Sequence, residues 1–89
     1  MSETFSENAA AQRYELRTEG GLAWADYRRR GADLVIPHVE AEPALRGTGA
    51  AGRLMRQVAD AVAADGGRIT PLCAYARAWL TRNAPDLIA

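Results

Sequence analysis

Polar and apolar side chains alternate from Arg13 to Thr18, with Tyr14 and Leu16 on one face and Glu15 and Arg17 on the other. A period of two marks a half-buried β-strand. Glu19-Gly20-Gly21 is a turn signal. Leu22 to Arg29 alternates less cleanly, with Leu22 and Trp24 opposite Ala23, Ala25 and Tyr27. The short spacing around Gly20-Gly21 predicts a hairpin. Arg30-Gly31-Ala32-Asp33 is the next turn, and Leu34 to Glu40 the third strand. The unbroken run Leu34-Val35-Ile36 predicts a central strand with both faces covered. Pro37 interrupts it. Proline has no N–H to give a ladder, so it marks a bulge or the end of pairing. The reading is a strand that starts paired and then parts from a neighbour.

Beyond Glu42-Pro43-Ala44 the period lengthens. From Gly49 to Asp65, Ala51, Leu54, Met55, Val58, Ala61 and Val62 recur at three- and four-residue steps. Arg53, Arg56, Gln57 and Asp60 take the opposite face, as in an amphipathic helix. Asp65-Gly66-Gly67 supplies its stop. Ile69 to Cys73 reads as a short strand and Ala74 to Asn83 as a second helix, blocked by Pro85. Trp24 and Trp79 are expected in the core. The order is β-β-β-α-β-α. It predicts an α+β fold with a mixed, mostly antiparallel four-stranded sheet and two helices. The third and fourth strands should run parallel through a right-handed crossover.

Composition narrows the functions. The chain has 89 residues, 11 acidic and 11 basic, and every basic residue is Arg. This length predicts one domain over residues 1–89, with residues 1–10 loose. Zero net charge argues against nucleic-acid and polybasic membrane partners. Met1 to Asn8 lacks the basic and apolar regions of a signal peptide, and no apolar run reaches the ~20 residues of a membrane span. The single cysteine, Cys73, cannot form an intrachain disulfide. These features predict a cytoplasmic setting. One His and one Cys do not make a metal site.

The stretch Arg46-Gly47-Thr48-Gly49-Ala50-Ala51-Gly52 follows a predicted strand and opens a predicted helix. Glycines there admit an anion close to the backbone, and first-turn N–H groups point outward with the helix dipole behind them. A Walker A loop needs a lysine, and the chain has none. The string Gly47-x-Gly49-x-x-Gly52 satisfies a dinucleotide fingerprint literally. That fold, however, needs a tight strand-to-helix turn, an acidic residue ending the next strand, and a second mononucleotide half. The remaining pattern, Arg46-x-x-Gly49-x-Ala51, resembles the pyrophosphate loop of the GCN5-related N-acetyltransferase superfamily. The resemblance continues through Ile36-Pro37-His38-Val39-Glu40, Pro71-Leu72-Cys73-Ala74-Tyr75 and Ala84-Pro85-Asp86. It points to the compact subgroup of the superfamily and covers residues 14 to 88. The tail departs from that subgroup, because Asn83-Ala84-Pro85-Asp86-Leu87 lacks its His and Tyr.

The resemblance implies an acyl-CoA N-acyltransferase-like fold and acetyl-CoA as co-substrate, with no metal. It implies that the backbone of Val39 and Ala41 pairs with the pantetheine arm. The amides of Gly47, Thr48, Gly49, Ala50 and Ala51 would hold the pyrophosphate, with Arg46 adding charge. Cys73 ends a strand just before a helix, where a thiolate is favoured as a nucleophile. A covalent acetyl-Cys73 and direct transfer past Cys73 both remain open, as does a plain buried thiol. His38 is the candidate general base, because imidazole ordinarily titrates near neutrality. Glu40 is the other candidate base, and Tyr75 a donor to the leaving thiolate. The expected function is acetyl-CoA-dependent N-acetyl transfer. The competing reading is a CoA-binding or acyl-CoA-binding module without turnover. The amine acceptor, whether peptide, protein or small molecule, is not specified.

Overall fold

The computed structural model describes residues 2–89. Its five strands are β1 (Thr4–Asn8), β2 (Arg13–Thr18), β3 (Gly21–Arg30), β4 (Asp33–Ala41) and β5 (Arg68–Pro71). They lie in one sheet in the order β1-β2-β3-β4-β5. The first four are antiparallel neighbours, whereas β4 and β5 run parallel. Helix α1 (Ala50–Ala64) makes the crossover between β4 and β5, and helix α2 (Ala74–Asn83) follows β5. The element order is β-β-β-β-α-β-α, so the four-stranded expectation is corrected to five.

The added strand, β1, falls within residues 1–10, which were expected to be loose. Phe5 is the only large apolar side chain in Thr-Phe-Ser-Glu-Asn, so no alternation announces it. Tertiary contacts place it. The Phe5 ring stacks on Tyr14 at 5.4 Å between centroids. Glu7 accepts hydrogen bonds from the Tyr27 hydroxyl and from Arg29, the latter at 2.9 Å.

Alternation gives the sheet two unlike faces. Tyr14, Leu16, Ala23, Ala25, Tyr27, Leu34, Ile36, Val39 and Ile69 share one core with Leu54, Met55, Val58 and Val62 of α1 and with Ala76 and Leu80 of α2. Both helices therefore pack on one face. Trp24 is not in that core. It lies half-buried on the opposite face, with the Arg13 guanidinium 5.1 Å from its ring. The small Ala23 and Ala25, both fully buried, take the helix-facing positions of β3 instead. Trp79 is likewise half-buried, packed at the core's margin beneath Arg56. Leu34, Val35 and Ile36 are all buried. Only Leu34 and Ile36 join the core. Val35 faces away from the helices, between its cross-strand neighbours Arg28 and Thr70.

Candidate active site

The site begins with an interruption of β4. Pairing with β3 matches Asp26 to His38 and Arg28 to Val35. Two β4 residues, Ile36 and Pro37, thus oppose the single residue Tyr27, which is a β-bulge. Pairing with β5 runs from Asp33–Arg68 to Ile36–Pro71 and goes no further. Both partners of that last position are followed or occupied by proline. The Ile36 carbonyl then accepts from the N–H of Leu72 at 2.9 Å and of Cys73 at 3.2 Å. Beyond it, β4 continues beside β3 alone.

The free edge of β4 has a definite register. Glu42 N–H donates to the Leu22 carbonyl at 3.0 Å, so the Glu42 amide faces β3. Backbone groups alternate sides along a strand. The amides and carbonyls of Val39 and Ala41 therefore face away from β3, toward the side that β5 has left. Their side chains point down: Val39 is buried opposite Ala25, and Ala41 packs against the core opposite Ala23. His38 and Glu40 lie on the open face. His38 is exposed opposite Asp26, and Glu40 is half-buried opposite Trp24.

The glycine loop closes the end of this edge. Pro43–Leu45 forms a short 3-10 turn, and Leu45 anchors it in the core. Gly47 (φ 80°) and Gly49 (φ 81°) both occupy the left-handed region, where a side chain is strained. Thr48 is the internal brace. Its N–H and hydroxyl both donate to the Leu45 carbonyl, and its Oγ1 accepts from Ala50 N–H. The amides of Thr48 and Ala50 are thus used inside the loop. The N–H groups of Gly47, Gly49, Ala51 and Gly52 find no acceptor among the described residues. Gly52 had not been singled out as a binding residue; its free amide is visible only once the start of α1 is fixed. Arg46 is exposed, and its guanidinium has no partner among the described residues.

Cys73 is the residue that caps α2, half-buried against the core. Leu72 and Tyr75 on either side of it are, among the described residues, the large apolar side chains most exposed to solvent. The Tyr75 phenol is shifted above its ordinary value, first by burial and then by the nearby Cys73 charge. The Tyr75 hydroxyl also approaches the first turn of α1: a Cβ at Gly52 would lie 3.6 Å from it and 3.6 Å from Trp79 Nε1. The fold therefore brings Tyr75 to the start of α1, and Cys73 to Ile36, where β4 parts from β5. It does not join His38 to Cys73, since no hydrogen bond links them among the described residues. His38 stands on the open face, whereas Cys73 is packed from the helix side. No three His, Cys, Asp or Glu side chains cluster as metal ligands among the described residues. Among the described residues, no helix is long and apolar enough to cross a membrane.

The strands part where β4 loses β5, and the glycine loop that follows β4 carries four amides unpaired among the described residues. The family model described as GCN5-related N-acetyl-transferase matches residues 13–87, and the chain belongs to that family. Membership supports acyltransferase activity of the N-acetyltransferase kind in general. No curated protein matches the chain.

Proposed function

We propose that the protein is a cytoplasmic acetyl-CoA-dependent N-acetyltransferase with an open acceptor cleft. One observation carries the reading: the free edge of β4 leads, through one short turn, to a loop with four amides unpaired among the described residues. An extended amide-bearing arm fits the first feature, and a diphosphate fits the second. The residues present therefore suit an acyl-CoA. The Val39 and Ala41 backbone would pair with the pantetheine, the amides of Gly47, Gly49 and Ala51 would hold the pyrophosphate, and Arg46 would add charge beside it. Thr48 and Ala50 would shape the loop that presents those amides. Bound acetyl-CoA supplies the acetyl group as an activated thioester.

The chain's own residues then have separable tasks. Cys73 Sγ stands where the strands part and offers a nucleophile at a helix start. Tyr75 Oη holds a proton within electrostatic reach of that sulfur, and burial strengthens its hold. His38 is exposed and positioned to take a proton from an amine arriving over the open face. Glu40, two residues along on the same face, is the alternative base. The open face carries no helix, which suits a peptide or protein amine, although a small amine fits as well. A single free thiol supports a reducing compartment.

Calorimetric titration with CoA, acetyl-CoA and NAD tests the reading. Binding of CoA and acetyl-CoA without NAD is expected; binding of NAD alone overturns it. Mass spectrometry after incubation with acetyl-CoA should show the mass of one added acetyl group, absent in Cys73→Ala. Turnover by Cys73→Ala at the wild-type rate reduces Cys73 to pocket lining. CoA binding with no turnover toward any amine favours a binding module.

A further inference from the structure

Arg53 stands over the glycine loop from the first turn of α1. Its Nη1 donates to the Thr48 carbonyl at 2.8 Å, and a Cβ at Gly49 would lie 3.2 Å from the same nitrogen. The other side of the guanidinium is occupied by a carboxylate. Nε lies 3.0 and 3.1 Å from the two Glu3 oxygens, and Nη2 lies 2.6 Å from Oε2. Glu3 precedes β1 and reaches Arg53 across 50 positions of sequence. The pair walls a cavity of about 250 Å³, together with Thr18, Gly20, Leu45 and Thr48.

The Glu3 contact is not what holds β1. That strand has its own ladder with β2, the Phe5–Tyr14 stack, and the Glu7 bonds to Tyr27 and Arg29. Both partners are partly exposed, Arg53 at 45% and Glu3 at 29% of side-chain surface. An ion pair in that setting is weak and readily exchanged. A guanidinium edge that takes a carboxylate through two nitrogens takes a phosphate in the same way. Arg53 can make that exchange while Nη1 keeps its bond to Thr48. It therefore offers the loop a second cation beside Arg46, one that the protein's own carboxylate covers.

We infer that Arg53 is a phosphate-binding residue of the coenzyme site, and that Glu3 competes with a coenzyme phosphate for its guanidinium. The inference rests on the acyl-CoA reading above and adds a built-in competitor to it. The segment before β1 thereby sets the affinity of the loop, and displacing Glu3 accompanies binding.

Calorimetric titration of CoA and dephospho-CoA into wild type, Glu3→Gln, Arg53→Gln, the double variant and Gly49→Val tests it. Glu3→Gln should bind CoA about two- to fivefold more tightly than wild type. This is a gain, which misfolding does not produce. Arg53→Gln should bind about tenfold more weakly. The double variant should match Arg53→Gln, because the competitor has nothing left to cover. A gain with CoA but not with dephospho-CoA assigns the 3′-phosphate to Arg53; a gain with both assigns the pyrophosphate. Unchanged or weaker binding by Glu3→Gln, or a gain that persists without Arg53, overturns the inference. If wild type binds CoA, Gly49→Val binds it about tenfold more weakly, and Glu3→Gln shows no gain, the competition falls while the coenzyme site stands. If neither folded wild type nor Glu3→Gln binds CoA, both readings fall together.

Discussion

The two halves of β4 share one strand and have opposite duties. From Asp33 to Ile36 the strand has neighbours on both sides, and Leu34, Val35 and Ile36 are buried. From Pro37 to Ala41 it has β3 alone. The first half is a structural centre whose backbone groups are satisfied within the sheet. The second keeps a buried underside, at Val39, but leaves one row of backbone groups free. A bulge opposite Tyr27 separates the halves and resets the alternation, so Val39 and Ala41 point into the core as Leu34 and Ile36 do. A sheet can thus stop pairing without ceasing to pack. Backbone left free in this way is what an extended ligand requires.

The sharpest test of this contrast is stability. Ile36→Ala, at a fully buried position in the paired half, should cost about 3–4 kcal/mol in urea unfolding. Val39→Ala, in the free half, should cost only about 1–2 kcal/mol. Equal losses would mean that the halves do not differ in support. On the chemical side, Cys73→Ala should lower the rate of amine acetylation about a hundredfold while the far-ultraviolet circular dichroism stays native. Gly49→Val should weaken CoA binding about tenfold, because φ is 81° there and Arg53 Nη1 would lie 3.2 Å from the new Cβ. Pro37→Val restores an N–H at the parting point. It should reduce CoA affinity about threefold without loss of stability. Unaltered affinity would show that the bulge alone keeps β4 and β5 apart.

The smallest effect tests the β1 edge of the sheet. Hydrogen bonds from Tyr27 and then Arg29 hold the Glu7 carboxyl below its ordinary value of 4.5. A depressed carboxyl adds stability above its unfolded pKa and loses it as pH falls through the folded value. The stability difference between wild type and Glu7→Gln should therefore be under about 1 kcal/mol near neutrality, should begin to fall below pH 4.5, and should be gone once the pH is below the lowered folded value. A difference that persists in acid would show that the charge of Glu7 does not anchor β1.

Much of the architecture was legible because it rests on local rules. Alternation in Arg13–Thr18, the three- and four-residue steps of α1 and the stop at Asp65-Gly66-Gly67 correspond to elements found at those places. Pro37 foretold a strand that parts from its neighbour, because the missing N–H is a property of one residue. The glycine loop was legible for a similar reason, since φ near 80° at Gly47 and Gly49 is what glycine permits. Strand β1 was not legible, because its support comes from Tyr14, Tyr27 and Arg29 rather than from its own pattern. The assignment of Trp24 to the core followed hydrophobicity. The structure instead placed two alanines beneath the helices and left the indole under Arg13.

Sequence by itself determined the order of most elements, the place where β4 breaks and the glycine loop that opens α1. Each depends on dihedral preference or periodicity within a few residues. The tertiary structure decided which face of the sheet the helices cover. It also brought the Tyr75 hydroxyl to the start of α1 and Glu3 onto Arg53. Those outcomes depend on groups far apart in the chain, whose meeting is fixed only when the whole core packs.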